Sequence, residues 1–430
     1  MLSLNTTTTG GTLGDILARP PIPNDAVGYA DFTTGLHMTQ TAESLATNAA
    51  LVFGPVSSMS PGYYYGKTDI GYMSGTLWER VEYGPDGENL GLAVDGGFTQ
   101  RIISGQRIDL TAGTATGAAV AASGTAAQPY QQWYSVTPSG AGEASLTLAT
   151  DSVSAGAYAY IAVDVRGSGI VQLGAKNAAA NAYVNANLLT GEVVTGAGAA
   201  GQMVRRRDGW TVLARVQLAA AGDVQPYAAS VAAIDTTKLG AAGLAFEARA
   251  PRVAAYTSAT LPAPGLWPHT SSSAKSADNL SQITGMVADA ADFTCVFRAR
   301  SGWTRSRTSA GLFLWSNGGN SGTELRFSST NTLVLIDRGS STPRWTFAAR
   351  WKPEAIYRVG VSRIGGVLSA CVNGECATVD TGSVAADATP RLLRGFDAAT
   401  NAWNGHLQKA IWWTAGRSQA DLAALVDRWA

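Results

Sequence analysis

Between residues 101 and 262 apolar and polar positions alternate with a period of two. In Ala157–Val165 the side chains of Ile161, Val163 and Val165 fall on one face, and Gly169–Leu173 and Trp210–Leu218 repeat the pattern. β-Branched and aromatic residues at alternate sites, bounded by glycine clusters, predict half-buried strands. Such strands without long intervening helices predict an antiparallel sandwich. A second set begins near residue 290. Phe293, Cys295 and Phe297 share one face of Asp292–Arg300, and Leu312–Trp315, Leu333–Ile336 and Tyr357–Val361 are further strands. Asn373-Gly374, flanked by apolar runs from Leu368 to Val379, predicts a hairpin with a type I′ turn. One helix is expected at the end of the chain. Ser418 is its N-cap, Asp421 lies three residues on, and Leu422, Leu425, Val426 and Trp429 recur at helical spacing.

Turn chemistry divides the chain. Residues 1–24 hold a threonine run, Gly10-Gly11 and three prolines within Pro20–Pro23, which forbid a regular helix or central strand. This segment reads either as a docking segment that orders on a partner or as a frayed terminus. Residues 25–100 form an N-terminal β-region, with an aromatic run at Tyr63-Tyr64-Tyr65 and a turn at Gly84-Pro85-Asp86-Gly87. Residues 101–262 form a first jelly roll. Pro262-Ala263-Pro264-Gly265 is a linker, and 266–430 form a second jelly roll. The expected class is mainly β: tandem antiparallel β-sandwiches with an irregular N-terminal region and a short C-terminal helix.

Composition narrows the function. The 430 residues carry 31 basic and 31 acidic side chains, and charged residues make up 14% of the chain, against about 25% in an average soluble domain. Zero net charge removes the electrostatic footprint of a nucleic-acid binder. A hydrophobic fraction of 46% is too high for a disordered chain. No apolar run approaches the roughly 20 residues of a membrane span, so no membrane insertion is expected. The start, MLSLNTTTTGG, lacks the basic and apolar regions of a secretory signal.

Three stretches resemble known modules. Arg80–Leu92 resembles the sequence that precedes lectin-like modules in phage structural proteins. Tyr183–Val194 is similar to the "strand, then (D/N)LxTGxV" signature of phage carbohydrate-binding-module-like jelly rolls. Arg207-Asp208-Gly209-Trp210 resembles the strand that follows it, whereas Ala245–Arg249 departs from that family's closing strand. Tyr357–Arg363 followed by Gly366–Gly374 is similar to the hairpin of concanavalin A-like lectin/laminin-G domains, with Gly405–Trp413 as the last strand. The order of these parts resembles phage-type receptor-binding spikes or fibres, including the head spikes of gene transfer agents. That resemblance implies a particle-surface protein, made in the bacterial cytoplasm, whose jelly rolls bind bacterial surface polysaccharide and whose N-terminal segment meets other particle proteins. An oligomer is expected, since spikes work in copies.

The chemistry visible in the residues is that of binding. Sugar recognition needs aromatic planes together with amide, carboxylate and guanidinium groups. In the last domain Trp303, Trp315, Trp345 and Trp403 lie near loop-like sequence, with Arg305, Arg307, Asn317, Asn320, Arg344 and Asn404 beside them. The same tryptophans serve equally as core residues. Gln131, Gln132, Trp133 and Tyr134 form a smaller cluster. Arg205-Arg206-Arg207 is either an attractant for acidic polysaccharide or a solvated turn. Asn317, Asn320, Glu324 and Asp337 are calcium candidates, or simply turn residues. No other cofactor is expected. Across the Asn373-Gly374 turn Cys371 faces Cys376, so a cross-strand disulfide is geometrically possible, while Cys295 reads as a core thiol. The three histidines are far apart and fit no zinc pattern. No paired-carboxylate strand, nucleophile elbow or phosphate loop is present. A non-enzymatic binding subunit is therefore expected; a structural scaffold and a capsule depolymerase are the alternatives.

Overall fold

A computed structural model describes residues 25–34, 36–39, 62–73, 80–94, 98–99, 109–148, 151–153, 158–179, 181–219, 222–256, 274–275, 280–281, 292–302, 309–316, 322–337, 342–380, 389–393, 403 and 405–429. The 1–24 segment and the 262–265 linker lie outside them. The expected class is what the structure has: antiparallel sheets stacked as sandwiches, and a helix near the C-terminus.

In the middle sandwich one sheet runs, in spatial order, Ala199–Arg206, Gly209–Gln217, Tyr158–Gly167, Phe246–Tyr256, Trp133–Pro138 and Ala118–Ser123. Its partner runs Val193–Thr195, Tyr183–Asn187, Ile170–Ala175, Pro226–Val231, Ala144–Thr147 and Ala115–Thr116. Ile161, Val163 and Val165 point between the sheets and meet Val171, Leu173, Val184, Val212 and Val216, as their alternation requires. The opposite face of Tyr158–Gly167 departs from the half-buried expectation. Ala162 and Asp164 on that face are buried too: Ala162 clusters with Val204 and Leu213, and Tyr65 of a hairpin from residues 62–73 lies over Asp164.

The last sandwich draws strands from both ends of the chain. Its larger sheet runs Leu36–Thr39, Gly28–Asp31, Gly405–Trp413, Phe293–Ser301, Ile356–Ile364, Val367–Val372 and Glu375–Asp380. Gly28–Asp31 pairs with residues 409–412, and Asn89–Val94 pairs with residues 405–407 of the same strand. Two N-terminal strands thus share one edge of Gly405–Trp413, whose main-chain groups would otherwise be open to other strands. The smaller sheet runs Leu280–Ser281, Thr389–Leu392, Ala310–Ser316, Gly322–Phe327, Thr332–Asp337 and Trp345–Arg350. Phe293, Cys295, Phe297, Phe313, Leu325, Leu335 and Trp412 fill the space between. Burial pushes the Cys295 thiol up, away from the reactive thiolate.

The helix Gln419–Trp429 is capped as its sequence indicates: the Asp421 amide donates to the Ser418 hydroxyl at 3.2 Å, and that hydroxyl donates to the Asp421 carboxylate at 2.7 Å. Its apolar stripe packs Leu422, Val426 and Trp429 against Val296, Ile411 and Trp413 on the outer face of the larger sheet. Adjacent Trp412 and Trp413 are therefore both buried, one on each face. Gly360 makes the close approach possible, since a Cβ there would collide with Leu422 and Val426. Gly360→Val is expected to cost about 1–3 kcal/mol through overpacking. A thermal melt that matched wild type would remove this role for the glycine.

The Asn373-Gly374 turn has both residues at positive φ, 50° and 90°, as a type I′ turn demands. The register places Cys371 opposite Cys376, and the two are joined by a disulfide. Among the described residues no helix is long and apolar enough to cross a membrane.

Candidate functional site

The aromatic cluster expected in the last domain is not assembled at the surface. Trp315 faces inward across from Thr323, 6.5 Å from Phe293. Phe313, two positions earlier on the strand, fills the same core, so the pleat carries Trp315 into the inter-sheet space. Trp403 is fully buried against Phe327 and Tyr357, and its indole N–H donates to the Arg300 carbonyl at 2.9 Å. Both tryptophans are core residues, not sugar platforms. Trp345 is 44% exposed at the sheet edge, beside Arg344, whose Nε donates to Asp337 at 2.6 Å. Trp303, Arg305, Arg307, Asn317, Asn320 and Asn404 lie outside the described residues.

The calcium expectation is also corrected for two of its residues. Thr323 pairs with Asp337 across the ladder, so Glu324, the next residue, points to the opposite face. Glu324 is buried and ion-paired with Arg326 at 3.1 Å. Glu324 and Asp337 cannot hold one ion between them. Among the described residues no group of three acidic, histidine or cysteine side chains is placed to bind a metal.

A cleft forms instead where the N-terminal hairpin meets the middle sandwich. Strands Gly62–Tyr65 and Ile70–Met73 are joined by the turn Gly66-Lys67-Thr68-Asp69. The Gly66 amide donates to the Asp69 carbonyl at 2.9 Å, and the Ile70 amide to the Asp69 side chain at 2.7 Å. Alternation along the first strand sends Tyr65 under the hairpin and leaves Tyr64 on the other side. Tyr64 lies across from Gly71, where a Cβ would collide with its ring. The facing walls are Val81–Tyr83 and the 3₁₀ turn Pro129–Gln131. The Gln131 side-chain amide donates to the Ile70 carbonyl at 2.7 Å and ties the walls together. The cleft has a volume of about 380 Å³ and is lined chiefly by Tyr64, Tyr83, Tyr130, Lys67, Asp69 and Gln131.

The polar groups of this cleft are held in place. Arg249 donates to Asp69 at 2.7 Å while its guanidinium lies 4.3 Å from the centre of the Trp133 ring. Arg166 lies 4.4 Å from the same ring and pairs with Glu247. Burial, then the neighbouring Tyr64 and Asp69, push the Tyr130 hydroxyl up. It stays protonated at neutral pH.

Beneath the hairpin, Tyr65 closes a buried ionic node. The Asp164 carboxylate accepts from Arg252 at 2.6 Å, from the Tyr65 hydroxyl at 2.8 Å and from Thr211 at 2.8 Å. Arg249 approaches it at 3.7 Å. Arg206 stacks over Tyr65, 3.3 Å from the ring centre, and its Nε donates to Thr211 at 2.9 Å. Burial by itself would raise the Asp164 carboxyl. Arg252, Arg249, Arg206 and the Thr211 hydrogen bond outweigh it and hold the group below the usual carboxylate range. Burial disfavours the Arg252 cation, but Tyr65 and Asp164 more than compensate, whereas for Arg206 burial prevails. On the far side of the hairpin segment, Glu82 lies 2.9 Å from His406 of the last sandwich. The N-terminal region is thereby bonded to both sandwiches.

Three tyrosine rings surrounded by an amide, a carboxylate and an ammonium group are suited to gripping a small polar ring with one apolar face. Of the sequence clusters, the structure uses Tyr64 from the aromatic run and Gln131 from the Gln131–Tyr134 group. Trp133 and Tyr134 are buried instead. Tyr83, Tyr130, Lys67 and Asp69 carried no signal of their own. The one available cue was the aromatic run Tyr63-Tyr64-Tyr65, which says nothing about what faces it.

No protein-family model matches the sequence, and no curated protein matches it. Some solved structures resemble part of the chain. The CBM40 module of the Ruminococcus gnavus IT-sialidase is 17% identical with a TM-score of 0.26, covering 34% of this chain and 88% of that one. The Trypanosoma rangeli sialidase in complex with the inhibitor DANA is 12% identical with a TM-score of 0.27, covering 32% of this chain and 22% of that one. A SAP-like pentraxin from Limulus polyphemus is 14% identical with a TM-score of 0.23, covering 31% and 69%. None of these scores is high enough for a shared ligand to follow.

Proposed function

We propose that the chain is a glycan-binding subunit, a spike or fibre at the surface of a phage-like particle, and that the cleft between the 62–73 hairpin and the middle sandwich takes a sugar of the host envelope. One observation carries the reading: three tyrosine rings and positioned polar groups converge on a cleft of about 380 Å³. That volume falls within the ~300–1,000 Å³ of small-ligand sites. Tyrosine rings cover the C–H face of a pyranose while their hydroxyls meet its polar edge. The particle setting rests on the phage-like sequence patterns at Arg80–Leu92 and Tyr183–Val194 and on the order of the parts. The role is binding without cleavage, because the carboxylates near the cleft are committed to partners, Asp69 to Arg249 and Glu82 to His406. Several copies on one particle would turn a weak site into firm adhesion.

A glycan array probed with the full chain, followed by a reducing-end assay on the polysaccharides retained, tests the proposal. Retention of a subset of glycans with no new reducing ends is the expected result. Reducing-end release would make the chain a depolymerase, and retention of nothing would leave it a scaffold.

A further inference from the structure

The charges around the cleft are asymmetric, and their pairing indicates the class of sugar. This step rests on the reading of the cleft as a glycan site. Several acidic groups nearby already have a partner, while Asp208, next to Arg207 on its turn, is exposed. Asp69 is held by Arg249, Asp164 by Arg252, and Glu82 by His406. Asp86 faces Arg205 at 3.6 Å, and Glu88 accepts from the Asp86 amide at 3.2 Å.

The basic groups are not all neutralised in the same way. Lys67 is exposed at the hairpin turn that forms one lip of the cleft, and among the described residues no carboxylate pairs with it. The turn of Arg205-Arg206-Arg207 comes to the same lip, since the Arg207 guanidinium donates to the Lys67 carbonyl. Arg207 is exposed, and it too has no carboxylate partner among the described residues. Its neighbour Arg206 is tucked over Tyr65 and fixes where the turn lies. An ammonium and a planar guanidinium fork carried on one lip of an aromatic cleft match a carboxylate carried on a sugar ring.

We propose that the cleft selects a carboxylate-bearing glycan of the uronic acid type. The ring packs on the tyrosines, and the carboxylate sits at the Lys67–Arg207 lip. The three-arginine run is then part of the binding site and more than a solvated turn.

The test uses the full chain with polygalacturonate and hyaluronate, each beside its carboxyl-reduced form, and dextran sulfate as a plain polyanion. Wild type is expected to bind at least one carboxylated polymer about tenfold or more tightly than its reduced form. Lys67→Met combined with Arg207→Met is expected to abolish that preference while the thermal melt stays unchanged, since both side chains are exposed. Tyr130→Ala is expected to weaken binding of the carboxylated polymer. Equal binding of the reduced form, still sensitive to Tyr130→Ala, would overturn the acidic preference and leave the cleft a glycan site. Binding of dextran sulfate as tightly as the uronates, insensitive to Tyr130→Ala, would overturn the preference as mere polyanion attraction. Binding of no polymer would overturn both readings.

Discussion

Asp164→Asn is expected to lower the unfolding free energy of the middle sandwich by about 3–5 kcal/mol, the usual cost of removing one partner from a buried ion pair. Asp164 is 1% exposed and is the carboxylate on which Arg252, Arg249, Tyr65 and Thr211 converge. Asparagine keeps the shape but removes the charge that faces the buried Arg252 guanidinium, while Arg249 retains Asp69. The same residue sets an acid limit. Its pKa is depressed in the folded chain, so its contribution is fully present above the unfolded value of about 3.9 and is lost as pH falls through the lower folded value. Wild type is therefore expected to lose stability steeply below about pH 4, and Asp164→Asn to show a shallower loss over the same interval. Denaturant titrations at pH 7 and pH 3 check both statements. A variant as stable as wild type at pH 7 would mean that the node contributes nothing net.

The second large effect concerns the cleft. Tyr83→Ala and Tyr130→Ala are each expected to weaken glycan binding by about 1–2 kcal/mol, roughly five- to thirtyfold, through lost ring contact. Both residues are only partly buried, so the melts of the variants are expected to stay close to wild type. Trp345→Ala, at the edge of the last sandwich, is expected to leave that binding unchanged. Calorimetric titration of the three variants with the glycan selected on the array provides the comparison. Full affinity in both tyrosine variants would detach the cleft from the function.

The strands were readable because alternation reports burial directly. Ile161, Val163 and Val165 lie inward as their spacing requires, and Asn373-Gly374 turns where its chemistry places the turn. What alternation could not reveal was the second cover. Asp164 occupies a polar position of its strand, a pattern shared by any solvent-facing aspartate. Its burial depends on Tyr65, 99 residues away in sequence. The same limit explains the tryptophans. Trp315 ends an apolar strand at a polar, loop-like stretch and Trp403 lies within another, yet each fills a gap in the last sandwich. A large ring gains more from burial than from exposure unless something holds it out. The cleft was legible only as residue types, because its walls come from residues 64–71, 81–83 and 130–131 and are joined by long-range contacts such as Gln131 with Ile70. The pairing of Gly28–Asp31 with Gly405–Trp413 was equally hidden, since no local signal names a strand's partner.

Crystallography of the full chain soaked with the array-selected sugar addresses the central claim most directly. The expected result is density for a pyranose ring between Tyr64, Tyr83 and Tyr130, with a polar substituent directed at Lys67 and Arg207. A sugar seated instead on Trp345 and Arg344, with the tyrosine cleft holding only water, would contradict it.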